Sequence, residues 1–168
     1  MRLPAIELAA ARLLAGHAAE TVLNETTELE VLQKARQDGH LWVALADDLA
    51  VGFAHVEVIE RGAVHLEELD VDPAHGRRGL GTRLVTRVCD WAAAAGFTAV
   101  TLTTFRNVPW NMPFYERLGF EVVSPAQLTS QLRAIVEDET RRGLDPVQRV
   151  VMRRASQPTF RACAEASH

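Results

Sequence analysis

The sequence predicts an α/β fold of the α+β kind: a mixed, largely antiparallel twisted sheet flanked by helices, with a central parallel strand pair splayed at a β-bulge. Three observations predict it. Apolar runs at 41–46, 50–59 and 63–72 follow one another across the short turn signals Asp47-Asp48 and Arg61-Gly62, the pattern of an antiparallel meander. A helical stretch at 80–95 then separates the third run from a β-branched one at 98–104, and a crossover of that length joins parallel strands. Within 63–72 the apolar parity slips, from Val64 and Leu66 to Leu69 and Val71. One extra residue near Glu67-Glu68 absorbs such a slip as a bulge, which also bends the strand from its neighbour.

The remaining elements follow in chain order. Pro4, then Ile6, Leu8, Ala9, Leu13 and Leu14 at helical spacing, predict a first helix stopped by Gly16. A second helix covers 27–38, with Leu29, Val31, Leu32 and Ala35 apolar and Gly39 as its stop; residues 17–26 are ambiguous. Leu84, Val88, Trp91 and Ala95 form one face of the helix at 80–95, which Gly96 ends. A short helix at 109–118, capped by Gly119, precedes a strand at 120–123. The helix at 129–142, an insertion at about 125–143 between the last two strands, turns Leu132, Ile135 and Val136 inward; Arg133, Glu137, Asp138 and Glu139 are expected on a solvated face, the alternative being a lid or a dimer contact, and Gly143 closes it. A last strand spans 147–154. From Ala155 the periodicity is lost and a disordered tail is expected over 155–168, leaving one domain over 1–154.

Composition narrows the function. The 168 residues carry 18 basic and 22 acidic side chains, a net charge of −4. That balance disfavours a general nucleic-acid binder. Cys89 and Cys163 are far apart and outside any zinc-type spacing, so two free thiols in a reducing compartment are expected, with neither a disulfide framework nor a metal site. No stretch reaches the roughly 18 apolar residues of a membrane span. Glu7 and Arg12 interrupt the apolar N-terminus as a secretory segment would not tolerate, so a cytoplasmic protein is expected.

The chemistry-bearing segment is Gly76-Arg77-Arg78-Gly79-Leu80-Gly81-Thr82, between a strand and a helix. Glycines allow a sharp turn and close approach of backbone to ligand. The helix start offers unpaired N–H groups and partial positive charge, and arginine matches phosphate. The segment lacks the lysine of a Walker loop, and Leu84 stands where a dinucleotide fingerprint needs its third small residue. Taken alone, it suits either a pyrophosphate cradle or a tight turn with two solvated arginines.

Together, LEELDVDPAHGRRGLG at 66–81 and NVPWNMPFYERLGF at 107–120 resemble the GNAT superfamily of N-acetyltransferases, over about residues 41–123. The resemblance implies acetyl-CoA as co-substrate and no metal. It implies that amides of Gly76, Arg77, Arg78, Gly79, Leu80 and Gly81 bind the pyrophosphate, with Thr82 near the helix start. It implies that the backbone of Leu69, Asp70 and Val71 pairs with the pantetheine arm like an added strand, in the gap between diverging strands. Two features depart from the family pattern. Gly76 stands at its Gln/Arg position, with arginine one place later, and the chain opens in a helix where the family has a strand. An exposed meander edge is then expected, which a second copy or a covering segment would close.

Transfer to an amine needs a base, an oxyanion donor and a proton for the departing thiolate. By resemblance Tyr115 is the acid. Asn111, four residues earlier on the helix, reaches the cofactor, and Asn107 either contacts it or, as preferred here, caps the helix. The Val71 N–H is the candidate oxyanion donor. Glu67 and Glu68 are the candidate bases; period-two geometry sends them to opposite faces, so one at most serves, and the resemblance prefers Glu67. His55 and His65 read as ordinary strand residues, and Phe53 and Trp110 as either core or acceptor-pocket walls. Cys89, mid-helix with no evident base, argues for direct transfer to a small-molecule or peptide amine. Two other readings are a non-catalytic acyl-CoA sensor, which would bind coenzyme A without transferring acetyl groups, and a nucleic-acid module using Arg77, Arg78, Arg83 and Arg87, which the acidic balance opposes.

Overall fold

A computed structural model describes residues 2–156. Its six strands form one sheet: β1 (Leu41–Ala46), β2 (Leu49–Glu60), β3 (Ala63–Val71), β4 (Ala99–Phe105), β5 (Glu121–Val122) and β6 (Arg149–Ala155). Their order is β1-β2-β3-β4-β6-β5, antiparallel throughout except for β3 and β4. The helices are α1 (Leu3–Ala11), α2 (Glu20–Leu23), α3 (Leu29–Gln37), α4 (Leu80–Ala94), α5 (Met112–Arg117) and α6 (Ser130–Arg141).

The predicted meander, crossover and helices are all present. Asp47 and Asp48 both take positive φ, as a tight hairpin turn between β1 and β2 requires. β1 forms the expected sheet edge, with Val43, Leu45 and Leu49 exposed along it. Several boundaries differ from expectation: α1 ends at Ala11 and gives way to a one-turn helix over Arg12–Leu14 that leaves Leu13 exposed, and β6 begins at Arg149. α5 is shorter than 109–118 because Pro113 fits only its first turn. β5 is reduced to two residues: Glu121 and Val122 pair with β6, and the Val123 amide adds one last bond, to the Val151 carbonyl at 2.9 Å. Ala155 is no tail residue: it pairs with Ala99, and the Ser156 amide donates to the Thr98 carbonyl at 2.8 Å. The rest of the expected tail, and Cys163, lie outside the described residues.

Of three apolar clusters among the described residues, two clothe the two faces, and a smaller one gathers Phe105, Val108 and Leu144. α4 covers one face, burying Val85 and Val88 against Ala54, Val56, Val64, Leu66, Val100 and Leu102. On the other, Leu3 and Ile6 of α1 and Leu32 of α3 pack against Phe53. α6 reaches this second face at β4, and here one expectation fails. Glu139 is not on a solvated face: it is buried, paired with Arg149 at 2.7 Å and accepting a hydrogen bond from the Thr103 hydroxyl. Arg149 also lies over the Phe105 ring, 4.7 Å from its centroid. A buried carboxylate persists only with such partners, and these lie far away in sequence.

β3 is bulged where its parity slips. His55 pairs with Glu68 and Val56 with Leu66, so Glu67 is the unpartnered extra residue. β3 pairs with β4 only over 63–66, while its pairing with β2 continues to Val71. Among the described residues, its edge over 67–71 therefore has no strand partner on the β4 side. β2 holds this free stretch closely: a Cβ on Gly52 would lie 2.9 Å from the Asp70 carbonyl oxygen and 3.3 Å from Val71 Cγ2. Gly52→Ala must push β3 away, and is expected to cost about 1–3 kcal/mol of stability in denaturant titration. A loss below about 0.5 kcal/mol would show that the strands yield freely.

Candidate active site

The cradle is built from backbone. After β3, the Asp72 side chain accepts from the Ala74 amide and pairs with Arg2 at 3.0 Å, starting a one-turn helix at Pro73–His75. The chain then reaches Gly79, left-handed at φ 76°, as the N-cap of α4. No side chain caps this end. The amides of Leu80, Gly81 and Thr82 belong to the first turn, where the helix itself offers no acceptors. A Cβ on Gly79 would meet nothing within 4 Å, so its side of the turn is open. Arg77 also has positive φ (59°), and Arg77, Arg78, Gly79 and Thr82 are exposed. Gly76 continues in extended conformation. These residues fit an anionic diphosphate group lying across the start of α4.

Tyr115 lies on α5, half-buried between the edges of Phe114 and Phe120, with ring centroids 4.9 and 5.8 Å away. Burial first, and then the Asp70 and Glu68 carboxyls, push its hydroxyl above the ordinary phenol value. It is a protonated donor at neutral pH. Asn111 is the residue at the α5 N-cap, with its side chain uncommitted, so Asn107 is not the cap. The helix begins too late for it, and Asn107 is exposed before the turn. Phe53 is core, whereas Trp110 is half-exposed and edge-on to His17, 5.9 Å away. Neither lines the cavity described next.

A cavity of about 410 Å³ opens on the face opposite α4. Both Glu67 and Glu68 line it, with His55, Glu57, Glu7 and Arg142. This overturns the expectation that the two glutamates diverge. With Glu67 as the extra residue, Val64, Leu66, Leu69 and Val71 pack toward α4. His65, Glu67, Glu68 and Asp70 are left to the other face. Period-two alternation does not hold across a bulge.

Crowded carboxyls in a desolvated site resist ionisation. Glu67 is pushed up to about 7, by burial first and then by Glu57 and Glu139. Asp70 is pushed up to about 8 by burial and by Glu7, and its buried Oδ2 has no partner among the described residues. Glu68 lies well above the usual carboxylate range because of burial, then Asp70, Glu7 and Glu67. Glu68 and Asp70, two residues apart on one face, behave as a pair that retains a proton. His65, 1% exposed, is held near 4 by burial. Its Nδ1 lies 2.8 Å from the Thr101 hydroxyl, which donates to the Val64 carbonyl, so His65 serves as the donor to Thr101.

Glu7, Glu57, Glu139, Arg142 and the Asp70 side chain were not legible as site residues. Asp70 had a detectable signal, since a carboxylate two places from Glu68 shares its face. The others come from distant elements. Glu7 accepts from the Thr27 amide at 2.9 and 3.0 Å, and Arg142, just after α6, pairs with Glu25 at 2.8 Å. Burial pushes the Cys89 thiol up, which disfavours it as a nucleophile.

The family model of the Acetyltransferase (GNAT) family matches residues 10–120. A glucosamine 6-phosphate N-acetyltransferase of Trypanosoma brucei brucei is 35% identical over 60 residues, 36% of this chain and 39% of that protein. The fold is shared with the paia N-acetyltransferase of Thermoplasma acidophilum, solved with coenzyme A (TM-score 0.68, 15% identity, 90% of this chain and 89% of that one). It is also shared with the N-acetylglutamate synthase of Neisseria gonorrhoeae, solved with coenzyme A and N-acetyl-glutamate (TM-score 0.68, 16% identity, 93% of this chain). This chain spans only 33% of that synthase.

The carboxyl cluster has a cost in stability. A carboxyl whose folded pKa is raised binds more protons folded than unfolded, so stability falls as pH rises from its ordinary value to its raised one. His65, held near 4, and the lowered His55 act oppositely, but only below the ordinary imidazole value of 6.5. Between about pH 6.5 and 8 the carboxyls act alone, and Tm is expected to fall. Asp70→Asn should flatten that fall; a wild-type Tm that rises across the window would contradict the cluster's charge state.

Proposed function

The chain belongs to the acetyltransferase (GNAT) family, and from that premise we propose that it moves an acetyl group from acetyl-CoA directly to a primary amine. The observation that carries this reading is the free edge of β3 over 67–71, running into the open glycine turn at the start of α4. A pantetheine arm laid along that edge supplies the missing strand, and its diphosphate meets the amides of 79–82. Arg77 and Arg78 add cationic charge there. The backbone of Leu69, Asp70 and Val71 holds the arm, the Val71 N–H polarises the thioester carbonyl, and Asn107 and Asn111 flank the approach from α5.

Glu67 is the proposed base. With a pKa near 7 it is half-ionised at neutral pH and able to take a proton from an ammonium group. Glu68, which retains a proton with Asp70, lies beside it. The freed amine nitrogen attacks the thioester carbon, the C–N bond forms and the C–S bond breaks. Tyr115 gives its proton to the thiolate, and the second amine proton, shed as the amide forms, restores the phenol. The net release is one proton per acetyl group moved from thioester to ammonium. No step uses Cys89.

Calorimetry is expected to detect binding of coenzyme A; no uptake of it or of acetyl-CoA would refute the reading. Tyr115→Phe should lower kcat by about 10²-fold or more while changing coenzyme A affinity little, and unchanged turnover would remove Tyr115 from the acid role. The kcat/KM of the wild type should rise with pH through an apparent pKa near 7, below the separate limb of the amine itself. Glu67→Gln should abolish that lower limb, and its survival in the variant would exclude Glu67 as the base.

A further inference from the structure

The cavity beside the bulge has an uneven charge. Five carboxyl groups line it (Glu7, Glu25, Glu57, Glu67 and Glu68) against one guanidinium, Arg142. Arg142 is already committed to Glu25, and Glu7 to the Thr27 amide and hydroxyl. Glu57 has no ion-pair partner among the described residues. A separate observation marks the cavity as a place for a polar ligand. His55 lines it, is only 4% exposed, and leaves Nδ1 without a hydrogen-bond partner among the described residues. A buried imidazole nitrogen in that state loses hydration without replacement unless something docks against it.

The polar groups follow the strands. His55 faces Glu68 across the β2–β3 pair, and Glu57 lies two residues further along β2, opposite His65. That carries Glu57 roughly 7 Å from His55 along the strand, away from the free edge and the phosphate cradle. A ligand with its reacting nitrogen near Glu67 and Glu68 therefore extends past His55 toward a second carboxylate. An anionic tail would meet like charge there, and a neutral tail would leave Glu57 unpaired.

Building on the acetyl transfer proposed above, we infer that the acceptor is a small aliphatic diamine or polyamine: one amine receives the acetyl group at the bulge while a second, cationic amine rests against Glu57, with His55 lining the span between. Anionic acceptors, phosphorylated amino sugars included, are excluded by the same charges.

The test compares three acceptors of one chain length: diaminobutane with an amine at each end, n-butylamine, and the aminobutanoate that replaces the far amine with a carboxylate. Glucosamine 6-phosphate is the fourth. Purified full-length protein is assayed for thiol release, with coenzyme A binding measured in parallel by calorimetry. The diamine is expected to exceed n-butylamine at least about tenfold in kcat/KM, with aminobutanoate and glucosamine 6-phosphate below n-butylamine. The preference should shrink as salt is raised. Glu57→Gln should raise KM for the diamine several-fold and narrow its advantage over n-butylamine. Equal or better use of n-butylamine, aminobutanoate or glucosamine 6-phosphate overturns the inference while acetyl transfer stands. Absence of transfer to the diamine, with coenzyme A bound, overturns it as well. Loss of both coenzyme A binding and all transfer removes the underlying reading too.

Discussion

One extra residue in β3 governs most of the site. Glu67 has no partner on β2, and on either side of it the strand keeps its apolar side chains on α4. Two consequences follow from this insertion. β3 bends from β4 after Leu66, which frees a backbone edge in the middle of a sheet. The acidic side chains on both sides of the bulge, with Glu67 itself, fall on one face instead of alternating. A slot for an extended ligand and a cluster of carboxyls thus share a single cause. Gly52 keeps the opposite edge of β3 close to β2, so the opening is confined to the β4 side.

Much of this was legible in the residues. The parity slip located the bulge, the crossover located the parallel pair, and the glycine turn located the uncapped start of α4. Direct consequences of local chemistry were recoverable because each depends on a few neighbouring side chains. The side-chain direction at the bulge was not, because period-two counting has no rule for a residue that belongs to neither register. Glu139 was misread for another reason: helical periodicity reports which face turns inward, and a charged residue on its margin is classed as solvated unless its partners are known. Those partners, Arg149 and Thr103, sit on strands that only the folded chain brings beside α6. Glu7 was invisible in the same way, an acidic residue on a mostly apolar first helix that meets Thr27 across a loop.

The cluster sets stability against chemistry. Burial of several carboxyls with little opposing charge raises the free energy of the ionised folded state. Natural chains retain such strain where function uses it. The compensating contacts lie around the cluster instead of within it: the Glu7 bonds to Thr27, the Arg142–Glu25 pair, and the Glu139–Arg149–Thr103 group at the α6–β4 contact. Glu7 and Arg142 tie α1 and the end of α6 to the segment between α2 and α3, and Glu139 ties α6 to β4 and β6, without neutralising Glu67, Glu68 or Asp70.

The proposed acid and the proposed base are shifted in the same direction. Desolvation lifts both Glu67 and Tyr115, and each feels negative charge from its own neighbours: Glu57 and Glu139 for Glu67, Asp70 and Glu68 for Tyr115. For a carboxyl the shift makes a better proton acceptor near pH 7; for a phenol it guarantees a proton to donate. Opposite roles thus need no opposite environments, because the two groups start from ordinary values on either side of neutrality. A positive charge introduced between them would undo both at once, returning the carboxyl to a weak base and easing the phenol toward phenolate. The scarcity of free cations among the described residues of the cavity is therefore as much a part of the site as its acidic side chains.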